Sequence, residues 1–254
     1  MIKLIDLLNE GVNDPGIFKG VFLAGGPGSG KSYVAGQLFG IPDNINVSVT
    51  GLKMVNQDQE LETMLKKFYG ADDPTLDYLN IQAYPPELFR QLTDPTFDDY
   101  AGLRGSAKYL SKKRMKNYLK GRLGVIIDGT GHKYSEVKKD RQELIDLGYD
   151  TYMVFVNTSL EVAQKRNEER PRRLPANTVE TYWKSVQKNM AYFQGLFGGA
   201  NFLLVDNNAT LNPKQAQKKF NMLVGKGISK FLKKPLKSKI AKKWIAQQKL
   251  LRKK

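Results

Sequence analysis

Eight consecutive residues, Gly25-Gly26-Pro27-Gly28-Ser29-Gly30-Lys31-Ser32, restrict what this chain can fold into more than any other feature. They satisfy the pattern G-x-x-x-x-G-K-[ST] at every specified position. The flanks fit as well. Residues 19–24 read as a short buried strand, and 33–39 read as the start of a helix. A strand, a glycine-rich turn and a helix in that order aim successive backbone N–H groups at one point, where the helix N-terminus adds partial positive charge. Such a cradle suits a chain of phosphates. Gly25, Gly26, Pro27, Gly28, Ser29 and Gly30 would line it, Lys31 would reach the β- and γ-phosphates, and the Ser32 hydroxyl would hold Mg²⁺. The sequence therefore predicts binding of a nucleoside triphosphate with Mg²⁺.

The rest of the chain supplies the expected setting. Apolar runs at 52–56, 124–128, 151–156 and 201–206 read as four further strands. Short, continuously apolar strands separated by helical segments imply a parallel α/β sheet covered on both faces. Helices are expected over 134–147, ending at Gly148, over 160–170, ending at Pro171, and over 177–197 with Asn177 as its N-cap. In the last of these, Val179, Trp183, Val186, Met190, Phe193 and Phe197 recur at helical spacing and read as a core-facing stripe. Residues 1–8 read as a short amphipathic helix, too short and too charged for a signal peptide.

Composition removes several chemistries. The chain has no cysteine and one histidine, His132, which excludes disulfides, thiolate metal sites, a cysteine nucleophile and a multi-histidine metal site within it. No apolar run approaches the roughly 20 residues of a membrane-spanning helix. A cytoplasmic protein is the expectation. The net charge of +16 is uneven: residues 226–254 contain twelve Lys/Arg and no Asp/Glu, which leaves +4 for the rest. Residues 70–100 carry seven acids, one arginine and four prolines, and read as an irregular insertion. Residues 104–122 reverse the charge, with eight Lys/Arg and no acid. There Arg104, Lys108, Lys112, Lys116 and Lys120 recur every fourth residue, with Leu103, Ala107 and Leu110 on another face. That stripe is either a solvated helix face or a surface that guides a phosphorylated substrate.

Three features beyond the loop point to phosphoryl transfer. Asp128 ends the strand Val125-Ile126-Ile127 and would make a second contact to Mg²⁺ at the carboxyl end of the sheet. Asp58 also follows a strand, 27 residues after Lys31. Its carboxylate either accepts the proton of an attacking hydroxyl or caps a helix expected over 60–68. Arg166 and Arg170 are four apart on one helix face and precede Pro171. They read either as lid arginines that neutralise charge on the transferred group or as a solvated basic turn.

Together, the loop, Asn56-x-Asp58, Asp128-Gly129-Thr130 and the arginine segment resemble the zeta-toxin and polynucleotide-kinase group of small P-loop kinases. The resemblance runs from about residue 18 to 208. It implies a five-stranded parallel sheet of order 2-3-1-4-5 flanked by helices, with a short lid. It also implies transfer of the ATP γ-phosphate to a hydroxyl, with Asp58 as base and Arg166, Arg170 and Arg173 as lid arginines. A loop after the fifth strand borders the adenine in this group, which makes Asn207 a candidate for base contact or an ordinary turn residue. Two departures stand out: a long gap between the loop and Asp58, and the acidic insertion, which has no evident counterpart.

The chain thus divides into a kinase-like domain, 1–225, and a basic helical C-terminal extension, 226–254. The extension could bind nucleic acid, pack on the domain or lie on an anionic membrane. The alternative to a kinase is an ATP-binding or ATP-hydrolysing nucleic-acid-binding protein.

Overall fold

The computed structural model describes residues 12–14, 16–41, 47–69, 102–169, 174–209 and 212–251. The helix expected at 1–8, the insertion at 70–100, Arg170 and Arg173 lie outside them.

Five strands form one sheet: β1 (Lys19–Ala24), β2 (Lys53–Val55), β3 (Val125–Asp128), β4 (Asp150–Asn157) and β5 (Phe202–Asp206). Their order is β2-β3-β1-β4-β5 and every pairing is parallel. Each expected strand is present, shifted by at most one residue at either end. The helices among the described residues are α1 (Lys31–Phe39), α2 (Gln57–Tyr69), α3 (Gly102–Lys120), α4 (Tyr134–Asp146), α5 (Leu160–Glu168), α6 (Ala176–Phe197), α7 (Pro213–Leu223), α8 (Ser229–Lys233) and α9 (Lys239–Leu251).

The alternation of side chains along a strand divides the core into two layers. Val21 and Leu23 of β1, with Tyr152, Val154 and Val156 of β4, face α1, α7 and α8. Phe22 and Ala24, with Met153 and Phe155, face α4, α6 and α9. Both faces are apolar, which accounts for the uninterrupted hydrophobic strands in the sequence.

Two helix starts differ from expectation. The helix expected to begin at Asn177 begins at Ala176 instead, after Pro175. Leu174 is pinned just before it, because the Asn167 side chain bonds both its N–H (3.0 Å) and its C=O (2.8 Å). Helix α2 starts three residues before the expected Glu60, so Asp58 lies inside its first turn rather than at its cap. The capping bond comes from Asn56, whose Oδ1 accepts the Asp58 N–H at 2.8 Å. On α3 the buried positions are Gly102, Leu103, Ala107 and Ser111, whereas Leu110 is exposed. Past the helix start at Gly102, the inward face runs through Leu103, Ala107 and Ser111, one residue behind the cationic row.

The basic C-terminal segment is seated on the domain. Phe231 packs on Tyr152 with ring centroids 4.9 Å apart, and Trp244 meets the edge of Phe18 at 5.5 Å. Ala241 is fully buried beside Gly148. Lys19, itself 2 % exposed, donates to the Lys234 carbonyl (2.8 Å) and to Asp150 (2.9 Å). Burial holds the Lys19 ammonium below its ordinary pKa, with Asp150 opposing that shift. All these contacts lie at the amino ends of β1 and β4.

Candidate nucleotide and phosphoryl-transfer site

At the opposite, carboxyl end of β1 the chain turns through the glycine-rich loop into α1. Gly28 (φ 73°) and Gly30 (φ 80°) adopt the left-handed conformation that favours glycine. A Cβ on Gly28 would lie 2.0 Å from the Ala163 carbonyl oxygen of α5, so the loop can approach that helix only without a side chain. A Cβ on Gly25 would meet Ser29 Oγ and the Val156 carbonyl, each at 2.7 Å. The Gly25 N–H donates to Thr130 O at 3.1 Å, which ties the loop to the segment after β3. Lys31 folds over the loop, its ammonium 2.7 Å from Gly25 O and 3.5 Å from Gly26 O. Gly28→Ala is expected to strain the backbone by about 1–3 kcal/mol and to push the loop off α5. Calorimetry should show a lower Tm and at least tenfold weaker ATP binding.

Lys31, Ser32, Asp58, Asp128 and Arg166 line one cleft at the carboxyl ends of β1, β2 and β3. The sheet explains why. β3 lies between β2 and β1, with Asp128 in register with Leu23, two residues before the loop. Asn56 connects the two acids: its amide donates to Asp128 Oδ2 at 2.9 Å, while its Oδ1 accepts from the Asp58 backbone. Arg166 is half-buried on α5 and donates to the Asn207 carbonyl at 2.7 Å. Asn207 is buried, and its amide donates to Ser29 O at 2.8 Å. It therefore joins the loop, the end of β5 and Arg166.

Ser32 and Asp128 offer oxygen ligands of the hard kind Mg²⁺ takes, and Mg²⁺ typically uses one or two such protein ligands besides phosphates and water. Among the described residues no group of three or more His, Cys, Asp or Glu is gathered as a metal cage. A Cβ on Gly25, Gly28 or Gly30 would meet Ser29 and Val156, Ala163 or Asn207, so only glycine lets the loop backbone take this shape. The residues present fit Mg²⁺ and a triphosphate.

The cleft has a basic wall. Arg104, Lys108, Lys112, Lys116 and Lys120 of α3 all face it. An ion pair of 2.5 Å between Arg114 of α3 and the nearly buried Glu60 of α2 holds this wall against the helix that carries Asp58. Opposite, Glu136 and Asp140 of α4 also line the cleft. Lys133 bonds Glu136 and holds its carboxyl below the usual range, with a smaller contribution from Lys108. Burial raises the Asp140 carboxyl, with Glu143 and Glu136 adding to the rise and Lys112 opposing it.

Several residues here carried little signal of their own in the sequence. Asn189 of α6 bonds the carbonyls of Gly131 (3.0 Å) and His132 (2.9 Å), fixing the turn after Asp128. A trace of this was legible, since Asn189 is a polar residue on the otherwise apolar face formed by Val186 and Phe193. His132 bonds the Thr130 hydroxyl and stacks on Tyr182 at 4.7 Å. Burial and then Lys133 lower the His132 pKa below 6.5, against the opposing pull of Glu136. From about pH 6.5 downward the unfolded chain takes up a proton that the native imidazole refuses, so stability falls with falling pH. Because His132 is the sole histidine, NMR should show one imidazole, titrating below 6.5.

Comparison with known proteins places the domain. Residues 21–191, more than half of the chain, match the family AAA_33, described as an AAA domain. The chain belongs to this family. Its AAA domain has a P-loop kinase-like fold. A structure of AvrRxo1-ORF1:AvrRxo1-ORF2 with sulphate ions is similar at a TM-score of 0.50 and 15% identity, over 74% of this chain and 54% of that one. The native AvrRxo1-ORF1:-ORF2 complex gives 0.50 and 13%, over 90% and 75%. A structure from the PezAT toxin–antitoxin system of Streptococcus pneumoniae gives 0.46 and 14%, over 85% and 86%. Among curated proteins, none matches the chain. The chain spans about half the length of the first of these structures, and likeness at such identities speaks to fold alone. No described helix is long and apolar enough to cross a membrane.

Proposed function

We propose that this protein is an ATP- and Mg²⁺-dependent phosphotransferase that moves the γ-phosphate to a hydroxyl of a phosphate-bearing acceptor. The observation that carries the reading is the single cleft shared by Lys31, Ser32, Asp58, Asp128 and Arg166. ATP would lie along the glycine-rich loop, its β- and γ-phosphates met by the loop N–H groups and by Lys31. For that, Lys31 must leave the Gly25 carbonyl it now bonds. Ser32 and Asp128 would hold Mg²⁺, which supplies charge neutralisation on the phosphates when bound. The acceptor oxygen attacks the γ-phosphorus, the bond to the ADP oxygen breaks, and the hydroxyl proton passes to the Asp58 carboxylate. Arg166, preset against the loop by Asn207, would offset charge on the transferred group, and Arg170 would join it from the adjoining segment. Asn207 would act first as a brace of the loop, and through its position after β5 as a neighbour of the adenine. The cationic wall of α3 favours an anionic acceptor, such as a nucleic-acid end, a nucleotide or a nucleotide-sugar.

The test is incubation with γ-labelled ATP and nucleic acids with 5′-hydroxyl ends, nucleosides, nucleotides, nucleotide-sugars and neutral sugars. Label on a phosphate-bearing acceptor supports the proposal. Label on neutral acceptors alone overturns the acceptor class. Label found only as inorganic phosphate, stimulated by nucleic acid, favours an ATP-hydrolysing nucleic-acid-binding protein.

A further inference from the structure

We infer that the underside of the domain, at the amino ends of the strands, is a second binding surface, for the phosphate backbone of duplex nucleic acid. It does not depend on the catalytic reading above. The six residues of β1 separate it from the glycine-rich loop, a distance of about 20 Å at roughly 3.3 Å per residue.

Three observations converge. First, the C-terminal segment divides its side chains sharply. Phe231 and Ala241 are buried, and Leu236, Trp244 and Ile245 pack against the core. Every lysine of the segment whose side chain is described is exposed, including Lys234, Lys237, Lys242 and Lys243. No described carboxylate lies within ion-pair distance of them, and residues 226–254 contain none.

Second, these cations stand on a fixed frame. The Lys234 carbonyl is bonded to buried Lys19, and Trp244 is wedged on Phe18. Holding them in place before binding lowers the entropy lost when a ligand orders them. The 13 residues of α9 extend about 20 Å at roughly 1.5 Å per residue. Over that length a duplex presents about twelve phosphate charges, at one per roughly 1.7 Å.

Third, the surface contains a hollow of about 190 Å³, lined by Arg141, Asp150, Thr151, Asn201, Lys234 and Lys237. Arg141 is pre-oriented there. Its Nε donates to Thr151 Oγ1 at 3.0 Å and its guanidinium lies 5.0 Å over the Phe197 ring. Its two terminal nitrogens make no hydrogen bond among the described residues, which leaves the fork that matches phosphate geometry available. The Asp150 charge is engaged by Lys19 at 2.9 Å. A phosphodiester group seated against Arg141, Lys234 and Lys237 would anchor a strand whose neighbouring phosphates meet the lysines of α9.

A membrane surface is the less suited partner, because the apolar side chains that an amphipathic helix would insert are largely spent on the core. Ile240, Leu250 and Leu251, 52%, 66% and 65% exposed on α9, are the exceptions.

The test uses fluorescence anisotropy with a labelled 30-base-pair DNA duplex of mixed sequence, between 50 and 200 mM salt. The parent chain should bind, with log-affinity falling steeply against log-salt. The quadruple variant Lys234→Ser, Lys237→Ser, Lys242→Ser, Lys243→Ser should bind at least tenfold more weakly at about 0.1 M salt. Its slope should be shallower by about 0.9 for each phosphate that is no longer neutralised, up to roughly 3–4. The arginine version of the same quadruple should retain binding, and equal Tm values confirm that folding is not at issue. Lys31→Ala should bind duplex as the parent does. Failure of the parent to bind, equal slopes for parent and serine variant, or loss of duplex binding in Lys31→Ala would each overturn the inference. So would capture by anionic phospholipid vesicles without capture of duplex.

Discussion

Lys31→Ala is expected to lower phosphoryl transfer by roughly 10²–10⁴-fold while leaving the fold intact. The lysine would meet oxygens of two phosphates, and hydrogen bonds to charged groups contribute about 1.5–3 kcal/mol each. Removing two such bonds corresponds to roughly two to four decades at about 1.4 kcal/mol per decade. The fold should survive because Lys31 is the first residue of α1 and its ammonium bonds the loop carbonyls of Gly25 and Gly26 rather than the core. The core residues of that helix, Val34, Ala35, Leu38 and Phe39, lie on its other side. Circular dichroism and Tm should match the parent. Isothermal titration should show weaker binding of Mg-ATP, and transfer of label should fall further than binding does. Unchanged ATP binding with unchanged turnover would remove the glycine-rich run from nucleotide chemistry.

Much of this was legible because the chemistry sits at strand ends. A buried parallel strand is a short apolar run, and the residue that ends it at the carboxyl edge is placed by the sheet. That is how Asp128 and the loop could be located from sequence, and how the strand boundaries came out within one residue. Helix starts were less legible. Asn177 satisfied the rule for an N-cap, yet Pro175 already sets an extended backbone there and Asn167 fixes the residue before it. Asp58 satisfied the same rule, yet Asn56, two residues earlier, does the capping. In both places a contact from elsewhere in the chain, or a stronger neighbour, chose among residues of similar local preference.

The cross-links between elements were the least legible. Asn207 and Ser29 are 178 residues apart, and nothing in either local sequence marks their bond. Arg166 read as a lid residue from its spacing to Arg170, but it is set against the loop through the Asn207 carbonyl. The C-terminal segment showed charge and apolar residues together, a pattern compatible with packing, nucleic acid or membrane. Only the structure assigns its aromatic side chains to Phe18 and Tyr152. Once they are spent there, the lysines of the segment remain exposed, with Ile240, Leu250 and Leu251 as the apolar side chains beside them.

Asp58→Asn is expected to reduce kcat by about 10²–10⁴-fold, the usual contribution of a general base, with little change in the KM for Mg-ATP. The substitution keeps the size of the side chain and removes the group that would accept the acceptor proton. Asp58 is exposed at the second position of α2 and lines the cleft. Its other possible contribution is as a negative charge at a helix N-terminus, worth about 0.3–1 kcal/mol of stability. The two roles separate in measurement. Loss of the helix-terminus charge shifts Tm slightly and leaves kcat alone, whereas loss of the base leaves Tm nearly unchanged and removes turnover. Asn56→Ala provides the opposite control: it deletes the cap, at about 1 kcal/mol, and removes the 2.9 Å bond to the Asp128 carboxylate. That variant should lower Tm more than Asp58→Asn does while retaining more activity. Normal turnover by Asp58→Asn on the true acceptor would make Asp58 a helix-terminus charge. The proton would then have to be taken by another group of the cleft, with Asp140 the first to test, since burial already raises its affinity for a proton.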